Sequence, residues 1–170
     1  MVQTDMHIAV YTGSFDPITL GHLNVIERCS RLVGRLMIGI GVNIDKEALF
    51  SIDERIELVR QTTANLNNIE IRAFDGLAVD FVSQCRSRVM VRGVRSLSDM
   101  EAEFTMSLAN RKLAPDIETV FLMAGEEYSH ISSSLIKQIA MLAGEDELRR
   151  FVPELVAKAL VVRLREQNAS

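Results

Sequence analysis

Two hydrophobic periods alternate along the chain. His7–Tyr11, Leu36–Val42, Ile69–Phe74, Val89–Val91 and Glu118–Met123 carry the short apolar-rich runs expected of buried strands. Between them apolar residues recur at helical spacing. Leu23, Ile26, Cys29, Leu32 and Val33 define one helix, and Ile52, Ile56, Leu58 and Val59 define a second that fades near Asn65. A short helix is expected over Leu77–Cys85 and a longer one over Asp99–Leu113, closed by Pro115. Another starts at Ser132 or Ser133 and ends near Gly144. A last amphipathic helix has Pro153 inside its first turn. Ser51 with Glu54, and Ser98 with Glu101, have the spacing of capping boxes.

Apolar strands alternating with amphipathic helices predict a Rossmann-like α/β fold: a doubly wound, five-stranded parallel sheet with helices on both faces. Two glycines in Leu36–Val42 weaken that strand but let a neighbour approach its backbone. In such sheets ligands bind beyond the carboxyl ends of the strands, where the strand order reverses. That rule selects three junctions, at residues 12–22, 92–103 and 124–134. Residues 1–170 read as a single domain, with C-terminal helices from about 133 onward.

Composition narrows the partners. The chain has 170 residues, enough for a real core without metal or disulfide staples. Lys and Arg number 19 against 23 Asp and Glu, a net charge of −4, which argues against general affinity for nucleic acid or acidic membranes. No apolar run is long enough to span a bilayer, and the first residues do not read as a secretory signal. Cys29 and Cys85 form no C-x-x-C pair and read as free thiols, so a cytoplasmic setting is expected. No Cys/His cluster suggests zinc.

The three junctions share one chemistry. In Thr12–His22, Gly21 and His22 sit where a helix begins, and unpaired N–H groups there favour phosphate. Arg92-Gly93-Val94-Arg95 puts two guanidinium forks at a strand end. Tyr128–Ser134 leads three hydroxyls into a helix, with Lys137 one turn inside as a further cation. Each has a plainer alternative. His22 reads equally as a surface or capping histidine and Ser14 as a turn residue. The arginines could serve structural ion pairs with Asp99 or Glu103, and the serines could be loop and cap. All three pointing to phosphate favours a small phosphorylated ligand.

Thr19-Leu20-Gly21-His22 resembles the T/H-x-G-H motif of the nucleotidyltransferase superfamily, and Ile131-Ser132-Ser133-Ser134 with Lys137 resembles its second signature. The blocks Val91–Asp99, Asn110–Pro115 and Glu118–Met123 narrow the resemblance to the bacterial phosphopantetheine adenylyltransferases. The resemblance implies transfer of the adenylyl group of ATP to 4'-phosphopantetheine, giving dephospho-coenzyme A and pyrophosphate, with Mg2+ accompanying ATP. It implies a catalytic set of His22, Lys46 and Ser14. ATP would be held by Ser14, Phe15, His22, Gly93, Val94, Arg95, Glu103, Tyr128, Ser129, His130, Ile131, Ser132, Ser133 and Ser134. The acceptor would be held by Ser14, Lys46, Leu77, Ala78 and Arg92. No protein side chain is assigned to the metal. A homohexamer built as a dimer of trimers and feedback binding of coenzyme A are implied as well.

The chain departs from the family pattern in places. Thr12 stands where the family carries proline, and the expected cost is loop order rather than chemistry. Asn43–Ala48 differs most, with Lys46 kept and Glu47 in place of a lysine. Two other functions stay open: a different small-molecule nucleotidyltransferase such as a cytidylyltransferase, and a catalytically silent nucleotide-binding protein.

Overall fold

The computed structural model describes residues 7–42 and 48–168. Five strands, β1 (Ile8–Gly13), β2 (Arg35–Gly41), β3 (Ile69–Phe74), β4 (Val89–Val94) and β5 (Glu118–Met123), form one all-parallel sheet in the order β3-β2-β1-β4-β5. The order reverses between β1 and β4, which are hydrogen-bonded neighbours with Tyr11 opposite Val91. The helices are α1 (Leu20–Ser30), α2 (Ile52–Thr62), α3 (Ala78–Gln84), α4 (Leu97–Leu113), α5 (Ser133–Ala140), α6 (Glu145–Leu148) and α7 (Glu154–Asn168).

The period of two along the strands divides the core between the two faces. Ala9 and Tyr11 of β1, with Leu36, Ile38 and Ile40 of β2, pack against α1, α2, α5, α6 and α7. Val10, Met37 and Met90 point the other way, onto Val79, Phe81 and Val82 of α3. Each fully buried Ile or Leu contributes about 1.5–3 kcal/mol. What approaches the β2 backbone at its glycine is a side chain of this core. A Cβ on Gly39 would lie 2.4 Å from Cε1 of Phe81, whose ring stacks on Phe74 at 4.6 Å. Cys29 and Cys85 are free, buried, and on opposite faces.

Local chemistry sets the helix ends. Ser51 and Glu54 make the expected reciprocal box at α2. At α4 the cap is Ser96, which accepts the Asp99 N–H, and Ser98 lies inside the helix. β4 runs on through Val94, so Arg92 and Gly93 are strand residues rather than loop. Pro153 precedes α7, its carbonyl accepting from the N–H groups of Val156 and Ala157. A short 3-10 turn, Glu126–Tyr128, follows β5. Among the described residues, no helix is long and apolar enough to cross a membrane.

Candidate active site

The carboxyl ends of β1 and β4 open into a cleft of about 250 Å3 at the reversal of strand order. Its lining draws on all three junctions: Ser14 and His22 from the first, Arg92, Gly93, Arg95 and Glu103 from the second, Ile131 to Ser134 from the third.

His22 is held by its own helix end. Thr19 caps α1, and its Oγ1 accepts the His22 N–H at 3.3 Å. The imidazole turns back, and its Nδ1 accepts the Thr19 backbone N–H at 3.1 Å. A backbone N–H can only donate, so Nδ1 is unprotonated and the ring hydrogen sits on Nε2. Burial, and then the nearby Arg95 and Arg92 charges, lower the His22 pKa from 6.5 to about 4. At neutral pH His22 is therefore an uncharged Nε2–H donor. Its ring meets Phe15 edge-on at 5.1 Å, and Phe15 meets Tyr11 at 5.5 Å. Phe15 is fully buried at φ +46°, a left-handed conformation whose cost its burial offsets. Phe15 and Val94 are both fully buried, and neither is among the residues that line the cleft.

Both arginines of the second junction are engaged. Arg92 gives Nε and Nη2 to the two Glu103 carboxylate oxygens, each at 2.6 Å, and Nη1 to the carbonyl and hydroxyl of Thr12 at 2.8 and 2.9 Å. Arg95 donates to Asp99 at 2.7 and 3.2 Å and, through Nη1, to the Ile131 carbonyl, which ties the second junction to the third. The ion-pair alternative is thus realised in geometry, yet both guanidinium groups still line the cleft. Gly93 is required by close approach. A Cβ there would lie 2.9 Å from Tyr11 Oη and 3.2 Å from Val25 Cγ2.

The serines divide their work. Ser132 caps α5 by accepting the Leu135 N–H at 3.1 Å, and Ser133 donates to the Pro17 carbonyl at 2.9 Å. Ser134 is exposed on the cleft wall. The N–H groups of Ser133 and Ser134, at the first two positions of α5, face no intrahelical acceptor and can receive phosphate oxygens.

Several expected residues stand elsewhere. Lys137 pairs with Asp16 at 2.7 Å and is not a free cation. Tyr128 packs against Gly21, where an added Cβ would meet it at an ordinary 3.6 Å, and Gly21 lines the cleft while Tyr128 does not. Ser129 and His130 are exposed outside the cleft lining, His130 edge-on to Phe151 at 6.1 Å. Leu77 caps α3 and Ala78 begins it, beyond the carboxyl end of β3 and outside the cleft lining. Lys46 lies outside the described residues.

Sequence reasoning missed the supports beneath the site. Asp16 is buried and accepts the N–H groups of Leu49 and Phe50 at 3.0 and 2.9 Å, besides pairing with Lys137. Arg55 is buried and donates to the Ser14 and Gly41 carbonyls at 3.0 and 3.3 Å, while among the described residues its Nε has no partner. Its signal was readable: Arg55 falls on the apolar face of α2, one turn from Ile52 and from Val59. The sequence expectation for Thr12 is a cost in loop order. Instead Thr12 is a buried strand residue whose hydroxyl touches Arg92.

Comparison with known proteins agrees with this geometry. The family model described as cytidylyltransferase-like matches residues 10–139. A phosphopantetheine adenylyltransferase of Rhodopirellula baltica is 56% identical over 158 residues, covering 92% of this chain and 88% of that protein. One of Clostridium botulinum is 50% identical over 139 residues, covering 82% and 85%. Among solved structures, a Vibrio parahaemolyticus protein assigned as a nicotinate-nucleotide adenylyltransferase superposes with a TM-score of 0.64 at 14% identity, covering 91% of each chain. The Plasmodium falciparum nicotinic acid mononucleotide adenylyltransferase, complexed with NaAD, gives 0.56 at 16% identity, covering 95% of each. At such identities the structures show a shared fold, whereas the sequence likeness is close and spans most of the chain. The chain therefore belongs to the cytidylyltransferase-like nucleotidyltransferases and, within them, to the phosphopantetheine adenylyltransferase family.

Proposed function

We infer that this protein transfers the adenylyl group of ATP to 4'-phosphopantetheine, giving dephospho-coenzyme A and pyrophosphate, and that the cleft between β1 and β4 is where it does so. The substrates follow from family membership. The observation that carries the choice of site is the meeting of a neutral His22 donor, the Arg92 and Arg95 guanidinium groups and the α5 N-terminus in one cleft.

The reaction needs position and charge stabilisation more than proton transfer. An oxygen of the acceptor phosphate attacks the α-phosphorus of ATP. A P–O bond forms, the bond to the α,β-bridging oxygen breaks, and its electron pair leaves with pyrophosphate. The attacking oxygen is already anionic, so no general base is required. His22 Nε2–H donates to a non-bridging α-oxygen as charge grows on it. The Ser133 and Ser134 N–H groups, with Arg95, hold the outer phosphates of ATP. Ser14 touches both substrates. Arg92, Leu77, Ala78 and Lys46 hold the acceptor. Gly93, Val94 and Glu103 shape the ATP side. Among the described residues no cluster of His, Cys, Asp and Glu could hold a metal, and Asp99 and Glu103 are taken by arginines. Mg2+ in this proposal enters as part of the ATP substrate, on its phosphates.

Coenzyme A repeats the pantetheine arm and would compete for the same site. Exposed apolar residues on α4 and β5, Phe104, Met106, Leu108, Leu113, Val120 and Met123, support contact between copies of the chain, as in the homohexamer of this reading. None of the α4 residues is buried within the chain. The free thiols of Cys29 and Cys85 suit the cytoplasm. Nucleotide choice tests the reading. With 4'-phosphopantetheine and Mg2+, ATP should yield a product of the mass of dephospho-coenzyme A, and CTP, GTP and UTP none. A CTP product would replace adenylyl by cytidylyl transfer.

A further inference from the structure

Thr12 and Arg92 are neighbours because β1 and β4 are in register. Tyr11 lies opposite Val91, so the next residue of each strand falls side by side at the reversal of strand order. Thr12 is 3% exposed and still lines the cleft. Its carbonyl and its hydroxyl both accept from Arg92 Nη1, at 2.8 and 2.9 Å. Glu103 takes Nε and Nη2 on the opposite side of the guanidinium. Counting one N–H per acceptor, four of the five donors are held, and the plane of the guanidinium is fixed from both sides.

A proline at position 12 would supply the carbonyl and not the hydroxyl. The hydroxyl also does a second thing. An oxygen that accepts from Arg92 keeps its own hydrogen to donate. Among the described residues that hydrogen has no acceptor, and the oxygen that carries it is 2.9 Å from Arg92 Nη1. An anion binding Arg92 therefore meets a charged donor and a neutral donor together.

We propose that Thr12 is a positioning residue for the acceptor: its hydroxyl orients Arg92 and adds a hydrogen bond to the phosphate monoester bound there. The proposal rests on the reading of Arg92 as the cation that holds the acceptor phosphate. Both contributions have the same sign, so loss of the hydroxyl weakens acceptor binding and leaves ATP binding alone.

The test compares Thr12→Val, which keeps the β-branched shape of a strand residue, with Thr12→Ser, which keeps the hydroxyl, and Thr12→Ala as a second variant lacking it. Dissociation constants are measured for 4'-phosphopantetheine and for pantetheine, which lacks the phosphate, alongside the KM for ATP. The Val and Ala variants should bind 4'-phosphopantetheine about tenfold more weakly, the loss of a hydrogen bond to a charged group. Pantetheine affinity and the KM for ATP should hold, and Thr12→Ser should bind like the parent. Equal 4'-phosphopantetheine affinity in Thr12→Val and parent overturns the proposal. So does a loss shared by pantetheine, which would mark a general structural effect. Arg92→Lys separates the levels. If it weakens 4'-phosphopantetheine binding, the Arg92 reading stands whatever Thr12 does; if it raises only the KM for ATP, that reading fails and the Thr12 proposal with it.

Discussion

The Nδ1 of His22 accepts the backbone N–H of Thr19 at 3.1 Å, which leaves the imidazole hydrogen on Nε2. The bond uses a helix N-terminus in an unusual way. A capping box ordinarily has Glu or Gln at the third helical position, and here histidine fills it. One contact thus caps α1 and fixes the tautomer of the donor in the cleft.

That tautomer has a pH consequence. Burial and two arginines put the folded-state pKa of His22 at about 4, below its ordinary 6.5. Below pH 6.5 the unfolded chain takes up a proton that the folded chain does not. The stabilising contribution is therefore complete above pH 6.5 and is lost as pH falls toward 4. Urea unfolding across that range should show the parent losing stability more steeply than His22→Gln. Nitrogen-15 NMR should find His22 neutral, with hydrogen on Nε2, at pH 6. An imidazole titrating near 6.5 would contradict the placement.

Glu103 neutralises Arg92 through two 2.6 Å hydrogen bonds, with both side chains largely out of water. Glu103→Ala leaves that charge uncompensated and should cost about 2 kcal/mol of stability by urea unfolding, below the range for fully buried pairs. Inorganic phosphate should then raise the Tm of Glu103→Ala more than that of the parent, because an anion takes the empty place. Equal shifts would mean that Arg92 is not the cation an anion meets.

Tyr11 and Gly93 leave each other no spare room. Gly93→Ala brings a methyl to 2.9 Å of Tyr11 Oη and should cost about 1–3 kcal/mol. Tyr11→Phe removes the oxygen in the way. In a double-mutant cycle the pair should recover about 1 kcal/mol relative to additivity. Additive losses would assign the strain to Val25 instead.

Much of this architecture is legible in the sequence because strand-end chemistry is local. Ile69–Phe74 and Glu118–Met123 stand as strands where the apolar runs place them, and Ser51 with Glu54 starts α2 as spaced. The three phosphate-favouring junctions meet because a parallel sheet brings the carboxyl end of every strand to one edge, and β1, β4 and β5 are neighbours in it. Strand order itself is not written locally: β1 and β4 are 75 residues apart between Gly13 and Val89 yet adjacent in space. Partner choice is hidden in the same way. Lys137 looks like a spare cation until Asp16, 121 residues away, reaches it, and Ser96 rather than Ser98 caps α4. Thr12 reads as a turn residue because its only informative neighbour, Arg92, is 80 positions distant.

Asp16 shows what such a long-range partner supports. It holds two backbone N–H groups at Leu49 and Phe50 and the Lys137 ammonium. Asp16→Ala strands all three and should cost about 3 kcal/mol, whereas Lys137→Met, which leaves the two N–H bonds in place, should cost about 1 kcal/mol. Urea unfolding of the two variants reads the difference, and equal losses would place the weight on the ion pair.

Adenylyl transfer in the His22 cleft has a simple readout. The most direct measurement is pyrophosphate release from purified protein given ATP, Mg2+ and 4'-phosphopantetheine, with His22→Ala beside it. Release should require all three components and fall about a hundred- to thousandfold in His22→Ala, the scale of one lost donor to developing charge. No release from the parent, or equal release from the variant, would contradict the account.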